Sequence, residues 1–99
     1  MLLFLSSSLR AEDKGEYFQK WDKEAQIGFL STSVVMAITI ASQSDRELMR
    51  CIDEWYGKDE TKKTRQNEVL KTIAENQKHL PNVVLLAIIQ KACGKFPAR

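Results

Sequence analysis

From Ala25 to Ser44 the chain runs for twenty residues without a charged side chain. As a helix, at about 1.5 Å per residue, such a run is ~30 Å long and could cross a bilayer. It is also studded with Gln26, Ser31, Thr32, Ser33, Thr39, Ser42, Gln43 and Ser44. Polar groups at that density oppose insertion. The better fit is a central helix buried on most sides, where Gly28, Ser31, Ser33, Ala37 and Ala41 are small enough to let neighbouring helices approach. The β-branched cluster Val34, Val35, Ile38, Thr39 and Ile40 would suit a strand, but Val83–Ile89 is the sole comparable run elsewhere. Helix is therefore the expectation.

A chain of 99 residues is at most one small domain. With 4 Gly and 2 Pro it has too little punctuation for a turn-rich sandwich or barrel. Apolar periodicity carries the rest. Glu16–Ser44 places Phe18, Trp21, Ala25, Gly28 and Phe29 on one helical face, with Gly28 as a potential break. Ser44-Asp45-Arg46-Glu47 has the form of a capping box with Ser44 as N-cap. The helix after it aligns Leu48, Cys51, Ile52 and Trp55 and stops at Gly57. Lys58–Lys63 then forms a charged connection. Thr64–Lys78 is again helical, with Gln66, Val69, Leu70, Ile73, Ala74 and Gln77 sharing a face. Pro81 is suited to the first position of the next helix. Val83–Cys93 is apolar on all sides, which predicts a buried helix, and Gly94 ends it. The fold class expected is all-α: a small four- to five-helix up-and-down bundle with a buried C-terminal helix, one domain spanning residues 12–99.

Residues 1–11 read as the remnant of a signal peptide. Met1–Leu5 is apolar, small residues follow, and Ala11 stands at the −1 position of a cleavage site before the charged Glu12-Asp13-Lys14. The expected location is periplasmic or secreted. Cys51 lies on the inward face of its helix and Cys93 at the end of the last one. In an oxidising compartment they are expected to pair; in a reducing one they would be two buried thiols.

Chemistry-bearing patterns are sparse. His79 is the single histidine, without a recognisable nucleophile or orienting carboxylate, and reads as a helix C-terminal residue. Asp53 and Glu54 are adjacent and so diverge by about 100° on a helix. With no phosphate loop and no metal-ligand spacing, the expectation is a non-enzyme without cofactor or metal. A net charge of +2 with interleaved signs offers little to nucleic acid. The candidate partner-binding residues are Trp55, Tyr56, Lys58, Lys62 and Lys63: aromatics at a helix end beside charges, unless Trp55 is core and Tyr56 half-covers it.

Gln26-Ile27-Gly28-Phe29 at the head of an apolar helix, a middle Cys51, Asn76-Gln77-Lys78-His79-Leu80-Pro81, and a closing Ala92-Cys93 form an ordered set. This set resembles the small periplasmic immunity proteins that protect bacteria from type VI secretion effectors, and their exported relatives. The chain has Gln77 where that pattern carries a proline. The resemblance implies export, an intramolecular disulfide, homodimerisation and binding of a toxic effector, with no catalytic residues. The function expected is thus an exported protein that works by protein–protein binding. The alternatives are a periplasmic acid-stress chaperone and a membrane-anchored small subunit.

Overall fold

A computed structural model describes residues 15–97. The described chain is all-α, with five helices: α1 (Gly15–Phe18), α2 (Lys23–Ser42), α3 (Arg46–Tyr56), α4 (Asp59–Glu75) and α5 (Pro81–Cys93). The signal-peptide reading of residues 1–11 lies outside the described residues.

Each boundary has a local cause. The helix expected from Glu16 onward is interrupted at residues 19–22, not at Gly28. Backbone N–H groups of Lys20 and Trp21 turn back to the carbonyls of Tyr17 and Phe18, and Asp22 restarts the helix by accepting from the Ala25 N–H at 2.8 Å. The amide of Gln26 ties the new helix to the old by donating to the Phe18 carbonyl at 2.9 Å. The corner is packed by aromatics. The Phe18 ring lies 5.0 Å from Trp21 and 5.4 Å from Phe29, while Ala25 and Gly28 face solvent.

Ser44 is not the N-cap of α3. Asp45 holds that position: its backbone is extended (φ −154°, ψ 95°) and its side chain accepts from the Leu48 N–H at 3.1 Å. α3 ends at Gly57, where φ is 74°; a Cβ there would sit 2.5 Å from Thr61 Cγ2. The charged connection expected at Lys58–Lys63 is mostly helix, with Asp59 and Glu60 in the positive first turn of α4. Pro81 opens α5 at its first turn, and Gly94 follows its end.

The core gathers one stripe from every helix. Leu30, Val34 and Ala41 come from α2, and Leu48, Ile52 and Tyr56 from α3. Val69 and Ile73 come from α4, Val84, Leu85 and Ile89 from α5, and Phe18 from α1. α3 packs most extensively on α2 and also touches α4 and α5. A disulfide joins Cys51 of α3 to Cys93 of α5, with their Cα atoms 5.7 Å apart.

Two expectations of burial are corrected. The thinnest dimension of the molecule is 18 Å. Helices pack about 8–10 Å apart, so two layers fit and no helix is surrounded. α2 therefore exposes Val35, Met36 and Ile40, all more than half accessible, opposite its core stripe. α5 likewise buries Val84, Leu85 and Ile89 but presents Val83 and Leu86 outward. By length and composition α2 could cross a membrane, yet Leu30 and Ala41 are 0% exposed within the bundle.

Two substitutions test this packing. A methyl group added at Gly28 would meet open space, and the residue sits inside a helix, so Gly28→Ala should stabilise the fold by about 0.5–1 kcal/mol. Ile52→Ala, at a fully buried site, should cost about 2–5 kcal/mol. Urea-denaturation midpoints measure both.

Candidate functional site

α3 and α4 meet at the Gly57 corner, and the residues flanking it arrange the best-furnished surface of the molecule. Tyr56 is 7% exposed and belongs to the core. Its hydroxyl accepts from the amide of Gln66 at 2.8 Å and lies 3.1 Å from the Ser31 hydroxyl. One phenol thus joins α2, α3 and α4. As an exposed contact for a partner Tyr56 is corrected: the last turn of α3 points it inward, in line with Leu48 and Ile52 at spacings of four. Lys62 remains above the ring, with its ammonium 5.6 Å from the centroid.

Trp55 is half-buried and lies on the outer side of the same turn. Arg65 holds it. The guanidinium stacks 5.2 Å from the indole centroid, Nε donates to the Trp55 carbonyl at 2.8 Å, and Nη1 pairs with Glu68 at 2.8 Å. A planar cation with three separate engagements orders the indole far better than a flexible ammonium could. Lys58 and Lys63 point into solvent; Lys63 approaches Glu60 at 3.9 Å across an exposed pair worth little. The structure therefore brings Trp55, Tyr56 and Lys62 together and leaves Lys58 and Lys63 outside.

Arg65 and Gln66 hold this corner together, and residue patterns understate both. Gln66 was legible as a polar residue on a mainly apolar face. Arg65 carried no signal, since its role depends on which part of α3 the Gly57 turn lays beside it.

Trp55 and Arg65 close one end of a cleft of about 660 Å³ between α4 and α5. Val69, Val84 and Ile88 line it with apolar surface, and Lys91 stands at its margin. His79 borders it from the α4–α5 loop. It is exposed and lies past the end of α4 rather than on its last turn, and its carbonyl receives the Gly15 N–H at 3.0 Å. Among the described residues no group of three His, Cys, Asp or Glu side chains converges as a metal site. Asp53 and Glu54 are both exposed on α3.

Comparison with protein-family models finds no match, and neither do comparisons with curated proteins and with solved structures.

Two measurements probe the site's framework. Tyr56→Phe leaves the buried Gln66 amide without its acceptor and should cost about 1–3 kcal/mol, part of which Gln66→Leu should restore in the double variant. Reducing the disulfide, which spans a sequence separation of 42, should cost about 4 kcal/mol in the chain-entropy account. Denaturation of oxidised and reduced protein side by side reads this directly.

Proposed function

We propose that the chain is an exported helical protein that works by binding another protein through the cleft between α4 and α5, as an immunity protein occludes a secreted effector. The observation that carries this reading is the pairing of an apolar trough with a fixed aromatic at its end. Interfaces draw most of their energy from a few well-packed anchors, Trp and Arg above all, surrounded by polar margins that exclude water. Trp55 stacked on Arg65 has that character, and Val83, Ala87 and Ile88 supply accessible apolar surface along the trough. Arg65 is already neutralised by Glu68, so Lys91 gives the margin a positive balance. The partner segment that fits is apolar with acidic flanks. Occlusion needs no catalytic group in this chain: a surface that covers the partner's site is sufficient.

The Cys51–Cys93 disulfide and an apolar helix near the N-terminus are compatible with export. They agree with a setting in which such a protein meets an effector outside the cytosol. The acid-chaperone reading has less support. The ion-paired carboxylates, Glu60 and Glu68, are exposed by 90% and 58%, so protonating them removes little that holds the bundle shut.

A photo-crosslinking residue tests the proposal in the producing cells. Placed at Ala87, an exposed position lining the cleft, it should give one discrete adduct with a partner protein. Placed at Asn67, on the opposite side of α4, it should give none. Trp55→Ala should abolish the Ala87 adduct, and should also abolish protection against a toxin encoded beside this gene. Diffuse labelling, or full protection with Trp55→Ala, overturns the reading.

A further inference from the structure

On the footing of the protein-binding role proposed above, we infer that the element filling the α4–α5 cleft is an amphipathic α-helix of the partner, with a carboxylate at the end that meets Lys91. Both walls of the cleft are themselves helical ladders. Arg65, Val69, Thr72 and Asn76 recur along α4 at spacings of four, three and four, and Val83, Ala87 and Lys91 along α5 at spacings of four. The α4 wall from Arg65 to Asn76 runs for about 17 Å, the length of roughly three helical turns. Val69 and Val84 form a nearly closed floor, while Val83, Ala87 and Ile88 stay accessible above it. A helix laid along such a groove sets its own ridges between the steps of both walls.

Hydrogen bonding selects a helix over an extended segment. A peptide group that leaves water must find a partner or bear the cost of desolvation. An extended segment would seek those partners in the groove, and the side-chain donors along the α4 wall are already engaged. Thr72 donates to the Glu68 carbonyl at 3.0 Å and Asn76 to the Thr72 carbonyl at 2.8 Å. Arg65 is held by the Trp55 carbonyl and by Glu68. Both walls are helices, so neither presents an edge to which a strand could add. A helix brings its backbone bonds with it and needs only apolar side chains facing inward. Charge then fixes its register. Cys93 is bonded to Cys51, one turn before Trp55, so the last turn of α5 sets Lys91 at the Trp55 end of the groove. Arg65 is paired there, whereas Lys91 has no ion-pair partner among the described residues. An Asp or Glu at that end of the partner helix completes the pair. The other open groove, about 570 Å³ between α2 and α5, has no charged residue in its lining and rests on the nearly closed Leu85 and Ile89, so it offers no such register.

A photo-crosslinking residue placed in turn at Val83, Ala87 and Lys91 tests this in the producing cells, with the linked residue on the partner identified by mass spectrometry. All three sites are exposed, so the fold tolerates the replacements. Successive sites stand about 6 Å apart along α5. A helix lying in the groove should advance by about four residues per step, against about two for an extended segment. The expected result is an ordered series with the helical step, and a several-fold lower yield of the Ala87 link when Lys91→Glu is introduced. Steps of about two residues overturn the helix while leaving the cleft a protein-binding site. A yield that Lys91→Glu leaves unchanged overturns the acidic end. No adduct at any of the three sites overturns the cleft reading itself, and the helix with it. Links to this chain, within one copy or to a second, do the same.

Discussion

The covalent bond between Cys51 and Cys93 holds together the two helices on which every surface feature depends. α5 gains its place from α3 and α4, having little direct contact with α2. Each of the two troughs has α5 as one wall. If α5 were free to drift from α3, both troughs would change width, and neither could present a fixed shape to a partner. A small bundle two layers deep has limited apolar burial to prevent such drift, and a cross-link that closes a long loop is an effective remedy.

The polar node at Tyr56 complements that clamp from the far end of α3. A phenol that engages Gln66 of α4 and lies beside Ser31 of α2 fixes the rotation of three helices at once. Buried hydrogen bonds of this kind are directional where apolar packing is not, so they select one register among several of similar burial. Trp55 inherits its orientation from the same turn: because Tyr56 must face inward, its neighbour faces the cleft, and Arg65 of α4 locks it there.

The molecule's two outward apolar regions differ in chemistry. The trough between α4 and α5 has an indole, a guanidinium and the Lys91 ammonium at its margin, features that discriminate among partners. The face of α2 and α5 has no charge at its centre. Both exist because an 18 Å slab cannot enclose α2 or α5.

Much of the fold was legible in the residues themselves. Helical class follows from apolar spacings of three and four with little glycine or proline, and the stops at Gly57 and Gly94 follow from the conformations open to glycine. The inward residues of α3 and α4 follow from amphipathic pattern, since one face of each is charged. Burial of α2 and α5 was not legible. Both are apolar on opposite sides, so periodicity points to no single inner face, and which stripe turns inward is settled by how many layers the bundle has. The pairing of Arg65 with Trp55 and the inward turn of Tyr56 likewise belong to tertiary structure, because they depend on the angle at which the Gly57 corner sets α4 against α3. Local sequence decides where a helix starts, stops and carries charge; the relative placement of helices, a sum of many weak contacts distant along the chain, decides which of its apolar faces meets water.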